Sequence, residues 1–275
     1  MALVIQTNVA SLQAQKNLST AQNSLGVSYN RLSSGNRINS AKDDAAGLAI
    51  SESMKNQVRS FTVAERNAND AVSMAQTAEG ALGEVSNILG RMREIAVQGS
   101  NGSLQTADRA YLKTEYTQMQ AEVKRILTST KFNGRQLIKK SAESISFQVG
   151  ISNSTDDRIS VTFGGVNLDA LTSTTNSVSG GVTGSQAAME KIDTALATVS
   201  TARARFGAAM NRFEVTTSNI QTARLNVSAA NSRIKDVDVA SETAALSKNQ
   251  VLTQAATSVL SQANSSPQAA LMLIR

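Results

Sequence analysis

Apolar residues recur at alternating steps of three and four from Phe61 through Ala64, Ala68, Ala71, Ala75, Ala78, Leu82, Val85, Leu89 and Met92 to Ala96. No position in that series is polar, which predicts a helix with a heptad seam facing a partner helix. At about 1.5 Å per residue it runs roughly 54 Å, a rod too long for a compact domain of this size to wrap. Gly99-Ser100-Asn101-Gly102-Ser103 breaks the pattern. Leu112, Tyr116, Met119, Val123 and Ile126 then predict a shorter helix folding back on the first, with Ser103 or Thr106 as the capping residue.

The polarity changes in the middle of the chain. KFNGRQL (131–137) predicts a turn, and ISFQVGI (145–151) and RISVTF (158–163) alternate as strands, joined through Asn153, Asp156 and Asp157. These make a β-hairpin region at about 131–170. Residues 172–185, TSTTNSVSGGVTGS, carry no charge and predict an exposed loop. A second long helix resumes near Ser185, with Met189, Ile192, Leu196, Val199, Phe206, Met210, Phe213, Ile220, Val227 and Ile234 on one register. Arg203, Thr217, Arg224 and Asn231 interrupt that register. The two arginines are either flank positions or partners of acidic groups, on the hairpin or on another subunit.

The two ends resemble each other. Lys16 is the only charge up to Asn30, where Leu18 and Leu25 begin a heptad that Leu32 continues, and residues 249–274 carry no charge at all. Leu252, Ala256, Val259, Leu260 and Ala263 share one helical face. A lone soluble helix normally shows a charged face. Uncharged ends of this kind suit burial among many similar helices, folding as copies assemble. The expected fold is therefore mainly α: long antiparallel rods of coiled-coil type, a small β-hairpin region, and paired N- and C-terminal helices.

Composition removes most chemistry. The 275 residues include no histidine, cysteine or tryptophan, so no ordinary zinc site, cysteine nucleophile, disulfide or histidine-based triad is available. We expect no catalytic residues and no cofactor. The net charge of +6 is spread without a basic run, and aromatics are only 3%, which argues against a nucleic-acid partner. The apolar run Ala2 to Ile5 is too short for a signal peptide, and the uncharged C-terminal stretch is rich in Gln, Asn, Ser and Thr and contains Pro267. Neither predicts membrane insertion.

One stretch invites a chemical reading: SSGNRINSAKDDAAGLAI (33–50), with Asp43 and Asp44 adjacent. A metal pair would need further oxygen ligands that the neighbouring residues do not supply. Gly35 instead suits a helix end, and Ser40 to Asp43 has the spacing of a capping box that would put both aspartates in the first turn of the next helix.

The whole chain resembles bacterial flagellin. The resemblance rests on RLSSGNRINSAKDDAAGLAIS (31–51), RNANDAVSMAQTAEGAL (66–82), MREIAVQ (92–98), KFNGRQL, NRFE (211–214), NSRIKDVDVASE (231–242) and LSQANSSPQAALMLIR (260–275). It implies an inner domain of paired terminal helices, D0, from 1–43 plus 236–275, and an outer domain, D1, from 44–235. With only 172–185 in place of hypervariable outer domains, the chain resembles a minimal member. The implied function is a structural subunit that polymerises into the extracellular flagellar filament for motility after type III export. A hook–filament junction protein of the same plan is the alternative. Implied partners are further copies of the chain, the filament cap, the junction protein, an export chaperone at the C-terminal segment and the host innate immune flagellin receptor. Carried over residue by residue, the receptor surface would be Arg91, Ile95, Gln98 and Glu115. Gly90 and Ile95 depart from the commoner long polar residue and leucine. The connector between domains would use Arg37, Lys42 and Asp43 toward neighbouring subunits. The hydroxyls Thr172, Ser173, Thr174, Thr175, Ser177, Ser179 and Thr183 are candidates for O-glycosylation, with a plain surface loop as the alternative reading. Some relatives carry a zinc protease insert; this chain has neither the insert nor the histidines it needs.

Overall fold

In a computed structural model of the chain, residues 7–172, 178 and 180–272 are described. The order is α1 (Val9–Ser34), α2 (Ala45–Gly99), α3 (Thr106–Ser129), β1 (Lys131–Phe132), β2 (Arg135–Gln136), β3 (Glu143–Gln148), β4 (Arg158–Phe163), α4 (Asp169–Thr172), α5 (Gly181–Lys235) and α6 (Val239–Met272). The mainly helical fold with a small hairpin region is the one the periodicity predicts. Two compact units divide it, residues 57–225 and residues 1–56 with 226–275. These limits fall inside α2 and α5, whereas the sequence motifs suggested a division at 43 and 236.

In the 57–225 unit the α2 seam is buried as its spacing requires: Ala68, Ala75, Ala78, Leu82, Val85, Leu89, Met92 and Ala96 are fully enclosed. Helix α5 corrects the expected register. Its buried positions are Ser185, Ala188, Ile192, Ala195, Val199, Ala202, Phe206, Ala209, Phe213 and Ile220, while Met189, Leu196 and Met210 are only partly buried at the edge of this core. The alanines, one residue earlier in each turn, occupy the seam because a small side chain permits close approach of the helices. The longer side chains then lie along its flank. Arg203 is thereby a flank residue.

Helix α3 starts at Thr106, and its cap lies one residue before Thr106 and two after Ser103. Its cap is Gln105, whose backbone N–H donates to the Asp108 carboxylate at 3.1 Å, an N3 acid satisfying a donor the helix leaves free. Asn133 (φ 48°) and Gly134 (φ 78°) turn β1 into β2, the paired positive φ values of a tight hairpin turn. Strand β3 pairs antiparallel with β4, Glu143 opposite Phe163 and Gln148 opposite Arg158. It ends at Gln148 because the Val149 and Gly150 N–H groups both turn to the Asp157 carbonyl. Ile159, Val161 and Phe163 point into the core. There the Phe163 ring lies 5.3 Å from Phe206, and Phe147 meets Phe213 edge-on at 5.6 Å.

In the other unit, α1 and α6 run antiparallel. Asn8 caps α1 and its Nδ2 donates to the Ala263 carbonyl at 2.8 Å, the Ser11 hydroxyl donates to Asn264 Oδ1, and Gln250 donates to the Tyr29 hydroxyl. The contact is again carried by small residues: Ala14, Ala21 and Ser28 are buried, one heptad apart. Leu18, Leu25 and Leu32 are only half-buried.

Candidate assembly and recognition surfaces

The connector is built from Gly35 onward. Gly35 ends α1 in the left-handed conformation (φ 71°), where a side chain would be strained. Its carbonyl accepts from Val237 N–H at 3.0 Å, while Arg37 N–H donates to the Lys235 carbonyl at 2.6 Å. Asn36 and Asp236 therefore face each other in a single antiparallel bridge. Arg37 Nη2 adds a bond to the Ile234 carbonyl at 2.7 Å, a cation on the C-terminal end of α5 where the helix dipole favours it. Next to the bridge, Arg31 approaches Glu242 at 3.5 Å.

Asp43 and Asp44 have separate tasks, and neither lies where the sequence suggested. Helix α2 begins at Ala45, so both precede it. Asp44 caps it, its carboxylate accepting from Gly47 N–H at 2.8 Å. Asp43 closes the preceding turn: one carboxylate oxygen accepts from Ser40 N–H, the Ser40 hydroxyl and Asn39 N–H at 2.9–3.2 Å. These bonds, the Ser40 hydroxyl foremost, hold the Asp43 carboxyl below its ordinary pKa. Ile38 is buried under this turn, and a Cβ on Gly47 would meet its Cδ1 at 2.7 Å. Lys42 is exposed. Among the described residues no cluster of acids has the makeup of a metal site.

The α2–α3 face brings two of the four expected residues together. Arg91 donates to Glu115 Oε1 through Nε and Nη2, at 3.1 and 2.9 Å, and through Nη1 to Glu94 at 2.8 Å. Those hydrogen bonds, with Glu94 the larger influence, raise the guanidinium's affinity for its proton. Gln98 is exposed on the same helix. Ile95 does not belong to this surface: at 1% exposure it sits in the buried cluster with Tyr116. The exposed apolar residue of this turn is Val97. Burial pushes the Tyr116 hydroxyl up to about 12.

The expected loop at 172–185 is shorter than its composition suggested. Thr172 closes α4, and α5 begins at Gly181. Ser185 is fully buried, its hydroxyl 3.2 Å from the Gly181 carbonyl, and Val178 is buried as well. Both lie so close to Gly99 that a Cβ there would come within 2.3 Å of Val178 and 2.8 Å of Ser185. Thr183 is exposed on the first turn of α5 and Thr172 half-exposed. Ser173, Thr174, Thr175, Ser177 and Ser179 lie outside the described residues, as do residues 1–6 and 273–275.

The arginines of the α5 register find partners within the chain. Arg203 donates to Glu79 and Arg224 to Glu65 at 2.6 Å, and Arg93 on α2 meets Asp193 on α5 at 2.7 Å. Their acidic partners lie on α2, a location the sequence reading did not name. Sequence reasoning missed the Arg93–Asp193 pair, whose signal was two opposite charges on the flanks of the two seams.

The terminal helices leave large apolar side chains in the open. Val9, Leu12, Val251 and Val259 are 57–67% exposed, and Val27 and Leu252 are exposed as well. No described helix is long and apolar enough to cross a membrane.

Two family models match the chain: the bacterial flagellin N-terminal helical region over residues 5–143 and the bacterial flagellin C-terminal helical region over residues 189–274. A flagellin of Halalkalibacterium halodurans is 41% identical over 99% of this chain and all of that one. A flagellin of Xenorhabdus nematophila is 41% identical over the whole of both. The B-type flagellin of Pseudomonas aeruginosa is 54% identical over 54% of this chain, a match that spans 31% of that protein. Among solved structures, Bacillus cereus flagellin superposes with a TM-score of 0.50 at 30% identity, covering 60% of this chain and 94% of that one. A putative flagellar hook-associated protein from Vibrio parahaemolyticus gives 0.61 at 17% identity, over 70% of this chain and all of that one, a likeness of fold alone.

Proposed function

The chain belongs to the bacterial flagellin family and is a structural subunit of the extracellular flagellar filament, and we propose that its terminal helices supply the surfaces that join subunits. The observation that carries this is the exposure of Val9, Leu12, Val251 and Val259 on α1 and α6. Ala14, Ala21 and Ser28 are the buried residues of α1, and these large apolar side chains lie outside that contact. Covering that surface with the same helices of other copies makes a contact that does not close on itself, the geometry of an open filament. The inner domain is the α1–α6 pair and the outer domain the rod and hairpin unit, and Arg37, Lys42 and Asp43 are the connector residues offered to neighbouring subunits.

The role is structural, without catalysis. Its partners are other copies, the filament cap, the hook–filament junction protein and an export chaperone that holds the C-terminal helix before assembly. The hook–filament alternative has only likeness of fold behind it. The face of Arg91, Gln98 and Glu115 is the candidate surface for the innate immune receptor, supported by an exposed guanidinium already aligned with carboxylates. Thr183, exposed on α5, and Thr172, half-exposed at the end of α4, are the glycosylation candidates with described positions.

Truncation tests the central reading. Chains lacking residues 1–30 or 250–275 are expected to keep a cooperatively folded 57–225 unit and to form no filaments under the electron microscope. Filaments of normal length from either truncated chain would overturn it.

A further inference from the structure

The chain contains two Asn-Gly pairs, Asn101-Gly102 between α2 and α3 and Asn133-Gly134 between β1 and β2. Such a pair can cyclise without an enzyme, because the glycine amide nitrogen is unhindered and can attack the asparagine side chain. The structure treats the two pairs differently. Asn133 and Gly134 are held at φ 48° and 78° by the flanking pairs Lys131–Gln136 and Phe132–Arg135, so turning the Gly134 nitrogen toward its target opens the hairpin. Asn101 and Gly102 lie in no ladder and are exposed. A Cβ on Gly102 would meet nothing within 4 Å. Above all, Asn101 Oδ1 already accepts a hydrogen bond from Ser103 N–H at 3.1 Å. That oxygen is the one on which negative charge develops when the side-chain carbonyl is attacked, and a donor placed there in advance lowers the barrier.

We propose that Asn101 is a site of spontaneous deamidation in the folded chain, favoured by the Ser103 N–H and faster than Asn133. Gly102 N loses its proton to a water-borne base and bonds to Asn101 Cγ. The tetrahedral oxyanion, held by Ser103 N–H, takes the proton back from the base on its amine nitrogen, breaks the Cγ bond to that nitrogen to release ammonia, and leaves a five-membered succinimide. One water then opens the ring at either carbonyl, giving an aspartyl or isoaspartyl group at position 101. No electrons are transferred and no co-reactant beyond water is consumed. The new carboxylate appears beside a cation: Arg109 Nη2 donates to the Asn101 carbonyl at 2.7 Å, and Arg109 Nε is buried without a hydrogen-bond partner. Conversion therefore adds a negative charge where a guanidinium can receive it.

The test needs no variant. The full-length monomer is aged in mildly alkaline buffer, once folded and once in concentrated urea. Peptide mapping by mass, with isoaspartyl methyltransferase labelling, gives the conversion rate at each Asn-Gly pair. In urea the two pairs differ only by neighbouring side chains. The expected result is a ratio of Asn101 to Asn133 conversion at least about fivefold higher folded than in urea, the factor one net hydrogen bond supplies. An equal or lower ratio in the folded chain overturns the proposal.

Discussion

Arg203 places two N–H groups on a single oxygen of Glu79, at 2.6 and 3.0 Å, and so ties α5 to α2 beside the alanine seam. The side chains are 42% and 32% exposed, so water screens the pair and its worth is modest. A double-mutant cycle with Arg203→Ala and Glu79→Ala is expected to return a coupling of about 0.5–1 kcal/mol in urea unfolding, falling with added salt. A coupling that does not respond to salt would contradict a screened ion pair.

Phe206 is the reverse case, a large side chain at 1% exposure against Phe163. Phe206→Ala leaves a cavity at the meeting of α5 and the sheet. The expected loss is about 3–5 kcal/mol, read as a lower urea midpoint with an unchanged m-value.

Gly99 is required by space rather than by backbone angle. Gly99→Ala drives a methyl into Val178 and Ser185, and the expected cost is about 1–3 kcal/mol of unfolding free energy. Gly90→Ala is the control on the same helix, because a Cβ there meets nothing within 4 Å. Ala is the better helix former, so this variant is expected to be neutral or more stable.

The Asp43 turn responds to acid. Its carboxyl is held below the ordinary aspartate range when folded, chiefly through the Ser40 hydroxyl. The stabilising contribution is therefore complete above the ordinary carboxylate value and disappears as pH falls through the lowered one. Carbon-detected NMR of the Asp43 side chain should give a midpoint below that of an ordinary aspartate, and Ser40→Ala should move that midpoint upward. An unmoved midpoint would assign the shift to something other than the hydroxyl.

How far the fold was legible depended on how strongly each position signals. The α2 seam was plain because every step is apolar and nothing polar competes. On α5 two neighbouring series competed: Met189, Leu196 and Met210 outweigh Ala188, Ala195 and Ala209 in hydrophobicity, yet close approach of the helices selects the alanines. The same competition hid Ile95, which stands between the exposed Glu94 and the seam residue Ala96; it is buried with Tyr116 of α3, while Val97 stays exposed. Ser40, Asp43 and Asp44 signalled a cap by local spacing, but the helix starts after both acids because each satisfies a different turn. The contact of Gly99 with Val178 and Ser185 joins distant segments, and no local pattern announces it. Of the connector, the Gly35 helix end was legible and the Arg37 bond to the Ile234 carbonyl was not.

The Asn36–Asp236 bridge has a consequence for how such a chain can vary. It fastens into a ring roughly two hundred residues of polypeptide, and the entropy of closing a flexible ring grows only with the logarithm of its length. Doubling the enclosed chain would cost about 0.6 kcal/mol at the fastening. The clasp is thus nearly indifferent to what is threaded between its halves. Extra chain inserted between α4 and α5 leaves those few backbone hydrogen bonds able to hold the ring shut, as long as Val178 keeps its place against Gly99.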